Sequence, residues 1–132
     1  MWRPVIGVHP KVVNASQPLG ALMDERAAAR ARMDALQRDH AAMVAASRDS
    51  NSDDEHDPEG STIAFERAQL AAVIEQTRQR LADLEVAIER VRAGSYGTCA
   101  SCGQPIAAER LAAQPAARLC VDCAAAVSRR PR

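Results

Sequence analysis

Along two stretches of this chain, apolar residues recur in alternating steps of three and four. In the first, running from Leu19 to about Arg48, the stepping positions are Leu19, Leu22, Arg26, Ala29, Met33, Leu36, His40 and Met43. That alternation puts them on one face of an α-helix, as in a coiled-coil seam. Arg26 and His40 weaken the seam, and His40 reads as a tolerated seam residue rather than a ligand. The second stretch keeps the pattern for about four heptads through Ile63, Arg67, Leu70, Ile74, Thr77, Leu81, Leu84, Ile88 and Val91. Ser61 or Thr62 can cap its start and Gly94 can close its end.

Between the two lies a polar, turn-rich segment, residues 49–60, with Asp49, Asp53, Asp54, Glu55, Asp57 and Glu59. Two helices of similar length joined this way predict an antiparallel hairpin. With arms of ~30 residues it would be a rod of roughly 45 Å with an acidic tip. A charge cluster at a turn is ordinarily a solvated loop. A long rod with negative charge concentrated at its end is also shaped to reach into a partner. Residues 1–18, with Pro4, Pro10, Pro18 and the β-leaning Val5-Ile6-Gly7-Val8, predict an irregular arm in which Trp2 is a candidate docking residue. The expected organisation is therefore an arm (1–18), a helical hairpin (19–93, tip loop 49–60) and a cysteine-containing module (94–132).

Composition restrains this picture. Much of the 47% hydrophobic content is alanine, and the aromatic residues are Trp2, Phe65 and Tyr96. Such a chain builds thin, Ala-rich helix seams rather than a thick core. Net charge is zero, so nothing biases the whole molecule toward nucleic acid. No apolar run approaches the ~18 residues of a membrane span, and no export signal is read, which predicts a cytoplasmic protein.

The four cysteines are gathered at Cys99-Ala-Ser-Cys102 and Cys120-Val-Asp-Cys123, with seventeen residues between the pairs. Two C-x-x-C knuckles at this spacing can face each other and complete a tetrahedron of thiolates around one Zn²⁺. Gly97 and Gly103 stand where the knuckle backbone needs positive φ. A pair of disulfides fits a secreted chain, and a redox C-x-x-C fits a βαβ unit; neither context is present. Four sulfurs leave no open position on the metal, so the zinc is expected to be structural and the protein not an enzyme. From Ala124 to about Arg130 the chain can form a short terminal helix, followed by a basic end.

The segment from Gly94 through Tyr96-Gly97, Cys99, Cys102-Gly103, Ile106, Arg110-Leu111, Ala113, Pro115, Cys120 and Cys123 resembles the DksA/TraR C4-type zinc-finger family. Arg110, Leu111 and Pro115 match although zinc binding alone would not demand them. The resemblance extends over roughly residues 19–130. It implies a mainly α fold: a long antiparallel coiled-coil hairpin with an acidic tip, a small four-cysteine zinc finger and a short C-terminal helix. It also implies a bacterial transcription regulator that binds RNA polymerase rather than DNA. The zinc end would sit at the rim of the secondary channel. The coiled coil would enter it, bringing Asp53, Asp54, Glu55, Asp57 and Glu59 toward the active centre.

Two departures from the family pattern stand out. The tip motif of strongly acting members, Asp-x-x-Asp-x-Ala, is not intact: aligned on Asp57, this chain has Gly60 and Thr62 at the second Asp and the Ala. The basic positions that serve guanosine tetraphosphate in the best-known members are matched by Gln114, Ala124 and a position near Asp83, which predicts that the shared alarmone site is not formed. A competing reading is a nucleic-acid-binding zinc module on a helical rod. It would require a basic stripe or base-stacking residues, and the finger offers only Arg110, Arg118 and Tyr96. An adaptor that pairs its coiled coil with another partner is the third class. A monomer without sequence-specific DNA binding is expected.

Overall fold

The computed structural model describes residues 16–50 and 58–130, with side chains described for 17–48 and 60–130. The protein is mainly helical, two long helices forming a coiled-coil hairpin that leads into a C4 zinc-finger module. Helix α1 spans Ser16–Ser50 and α2 spans Pro58–Ala93. Two short helices follow, α3 at Ala108–Ala113 and α4 at Val121–Ser128. Among the described residues there is no strand beyond an isolated antiparallel bridge between Thr98 and Pro105. No helix among them is long and apolar enough to cross a membrane.

The seam runs where the 3–4 alternation places it. Each of its positions from Leu19 to Met43 and from Ile63 to Val91 is buried or half-buried. Helix ends differ more. Helix α2 starts at Pro58, ahead of Ser61 and Thr62, because proline suits a first helical position: its φ is already helical and it has no N–H to leave unpaired. Helix α4 starts at Val121 rather than Ala124, because Cys120 itself caps it. The six-residue α3, too short to show a period, was not expected.

The chain divides into two compact units. One combines Met1–Glu25 with Asp83–Arg132. Here Leu22, Leu84 and Ile88 are fully buried, together with Ala87, Val91, Cys99, Ile106 and Ala116. The other, Arg26–Ala82, contains the remaining lengths of both long helices. Among its described residues the buried ones are Met33 and Thr77, and the Thr77 hydroxyl donates to the Val73 carbonyl at 2.8 Å. Arg67 donates to the Ser47 hydroxyl at 3.4 Å, tying α2 to α1 within this unit.

Candidate metal centre

The module begins where α2 stops. Gly94, at φ +79°, lets the Gly94 N–H reach the Val91 carbonyl (3.2 Å) and the Ser95 N–H the Arg90 carbonyl (2.9 Å). That pair of bonds is a Schellman closure, which satisfies the orphan carbonyls of the last turn. Arg90 adds a second clasp, its guanidinium donating to the carbonyls of Ser95 (3.0 Å) and Thr98. This arginine was not singled out in the sequence. Its only signal was a cation in the last helical turn, where carbonyls await partners.

The first knuckle folds over residues 97–106. The Cys99 N–H donates to Gln104 O (2.8 Å), the Gly103 N–H to Cys99 O (3.0 Å) and the Ile106 N–H to Gly97 O (2.7 Å). Gly97, at φ +83°, also lies close to Leu111, whose Cδ1 would be 3.5 Å from an added Cβ. The second knuckle is the start of α4, where the Cys120 sulfur accepts the Cys123 N–H at 3.5 Å. Three bonds bring the knuckles together. The Ala100 N–H donates to Arg118 O (2.8 Å), Arg110 Nε to Leu119 O (2.9 Å) and the Tyr96 hydroxyl to Pro115 O (2.7 Å). Burial, then the Glu25 carboxylate, push the Tyr96 pKa up, keeping that donor protonated. Tyr96, Arg110 and Pro115, which zinc ligation does not call for, thus hold the segment between the knuckles.

The four Sγ atoms lie within 4.8 Å of one another, and Cys102 and Cys120 are 3.8 Å apart. Tetrahedral zinc with Zn–S of ~2.3 Å requires S···S edges of ~3.8 Å, so the donors fit one zinc ion. Protonation behaviour agrees. The Cys102 N–H, then that of Cys120, bring the Cys99 thiol down to about 6. The sulfurs of Cys120, Cys99 and Cys102 push Cys123 up to about 12. Cys102 also rises, the Gln104 N–H that lowers it being outweighed by the Cys99 sulfur and burial. Four thiols this close cannot all ionise alone; a divalent cation removes the conflict. Bound there, zinc would be closed by four sulfurs and would fix the fold of the module.

The acidic candidates are not brought into any described site. Asp53, Asp54, Glu55 and Asp57 lie outside the described residues, as do the side chains of Asp49 and Glu59.

Residues 94–129 match the model for the prokaryotic dksA/traR C4-type zinc finger. The fold is similar to that of transcription factor DksA2 from Pseudomonas aeruginosa, with a TM-score of 0.70 at 21% identity, covering 89% of this chain and 87% of that one. General stress protein 16O of Bacillus subtilis is 36% identical over 78 residues, 59% of this chain and 48% of that protein. The RNA polymerase-binding transcription factor DksA of Buchnera aphidicola is 33% identical over 49 residues, 37% of this chain and 32% of that protein. The chain spans about half the length, or less, of these curated relatives.

Proposed function

We propose that this protein is a cytoplasmic transcription regulator that binds RNA polymerase at the secondary channel. The zinc module is the mount, and the hairpin carries Asp53, Asp54, Glu55, Asp57 and Glu59 toward the active centre. The observation that carries this reading is the clasp at Arg90 and Gly94, which joins a finger of this family to a coiled-coil helix of 36 residues. The name of the Buchnera relative, an RNA polymerase-binding factor, supports it. A helix entering a channel loses little conformational freedom, and carboxylates act on cationic or metal-bound groups only within the ~8–10 Å that salt leaves unscreened. Zinc performs no chemistry in this scheme. The protein acts as a monomer and not as an enzyme.

The alarmone positions support a narrower point. Gln114 is exposed at the end of α3, Ala124 lies in α4 and Asp83 in α2, and none of the three offers a cation to a polyphosphate. Regulation therefore proceeds without guanosine tetraphosphate; a stronger effect on transcription when it is added to a purified system would contradict this. The main reading is tested with a photocrosslinking residue at position 57 and purified polymerase. Labelling of the active-centre region is expected. Labelling confined to DNA, or none, would overturn it.

A further inference from the structure

The two long helices change character along their length. Half of residues 24–39 and nearly half of 75–92 are charged, whereas 41–47 carries no charge and 60–74 only Glu66 and Arg67. The Arg67–Ser47 hydrogen bond sets these two charge-poor segments beside each other. Every alanine in both segments is exposed, and Phe65, at 63%, is the most exposed large apolar side chain among the described residues. Phe65 falls midway between the seam positions Ile63 and Arg67, and Ala45 midway between Met43 and Ser47. Apolar side chains therefore stand on the outer side of each helix as well as in the seam. A surface helix ordinarily backs its apolar stripe with a charged face, and one apolar all round is a helix that becomes enclosed. The 75–92 stretch of the same helix keeps the ordinary pattern, so the loss of charge is local.

The distribution decides what kind of partner fits. Nucleic acid calls for cations, and the one cation of these segments, Arg67, donates to Ser47. A second copy packed by two-fold symmetry would cover one side of the helix pair and leave the other bare. Depletion of charge around an exposed aromatic is the composition of the centre of a protein–protein interface. A helix pair about 50 Å around, over ~15 residues, presents roughly 1,000 Å², more than the ~800 Å² per partner of a stable interface. We infer that residues 41–47 and 60–74 form a sleeve that a protein wall encloses on both outer sides, with Phe65 as its aromatic anchor. The inference rests on the polymerase reading above and names the contact: a section of channel wall poor in charge, met on the finger side of the acidic tip.

Photocrosslinking residues placed singly at positions 45, 65 and 72 of the zinc-loaded full chain should each label purified RNA polymerase, from both helices. Labelling from one helix only, or between copies of this chain, would overturn the sleeve. Labelling from position 57 but not from 45 and 65 would overturn the sleeve and leave the polymerase reading standing. No labelling from any of these positions would overturn both. Affinity gives the second measurement. Phe65→Asp alters an exposed side chain, so zinc content and helical signal should be kept while affinity for polymerase falls about tenfold, as for loss of an interface anchor. Phe65→Leu should hold affinity within about threefold of wild type. Gln37→Asp, exposed in the charged stretch, should hold it within about twofold. Wild-type affinity in Phe65→Asp, or an equal loss in Gln37→Asp, would contradict the inference.

Discussion

The two compact units of this protein are built from the same two helices, yet they bury different things. Near the finger, Leu22, Leu84 and Ile88 are fully buried, with Ala87 and Val91 beside them. Among the described residues of Arg26–Ala82 the buried ones are a methionine and a threonine, and the other seam positions are half-buried. Burying a leucine or isoleucine completely contributes about 1.5–3 kcal/mol, whereas alanine seams contribute little per residue. Stability is therefore concentrated in the unit that the zinc module completes. The other unit keeps its pairing through the regularity of the seam and polar contacts such as Arg67 to Ser47.

Removing the metal should break this comparison most severely. A chelator should release one zinc per chain and unfold the knuckles, while most of the far-ultraviolet helical signal remains with α1 and α2. Cys99→Ser should do the same without a chelator. Acid should also release the metal: ligation requires thiolates, protons compete for them, and zinc affinity must fall as pH falls. Without metal, Cys99 retains its thiolate only down to about 6, so below that this ligand is protonated. Metal content after dialysis over a pH series reads this directly.

A smaller effect separates the two seams. Leu84→Ala should lower stability by about 3 kcal/mol, in the range for a fully buried leucine. Met33→Ala, in the thinner seam, should cost about half as much. Urea denaturation of both variants checks the ratio, and equal losses would remove the asymmetry. Smaller again is Arg90→Ala, which leaves two carbonyls without their charged donor at a cost of about 1–2 kcal/mol. It should accelerate zinc loss to a chelator severalfold while leaving the Arg26–Ala82 unit unaltered. Smallest is Thr77→Val, expected to gain about 0.5 kcal/mol, because the Val73 carbonyl keeps its helical N–H partner when the hydroxyl goes.

Periodicity made the hairpin legible, since a coiled-coil seam is written in sequence at a fixed spacing. The cluster of four cysteines was legible for the same reason: C-x-x-C fixes local geometry. What escaped was set by tertiary context. The start of α4 depends on the Cys120 sulfur accepting an N–H, and α3 depends on Arg110 and Tyr96 clamping the segment around it. Arg90 looked like any surface arginine of an amphipathic helix until the chain after Gly94 folded back onto it. Proline at 58 could be taken for a turn residue, and it proved to open a helix.

The division proposed above, between a mount that binds and a tip that acts, is tested by neutralising the tip. In a variant with Asp53, Asp54 and Asp57 changed to Asn and Glu55 and Glu59 to Gln, we expect affinity for purified RNA polymerase to stay within about twofold of wild type. Its effect on promoter open-complex lifetime should disappear. Loss of polymerase binding together with the effect, or an unchanged effect, would contradict the account.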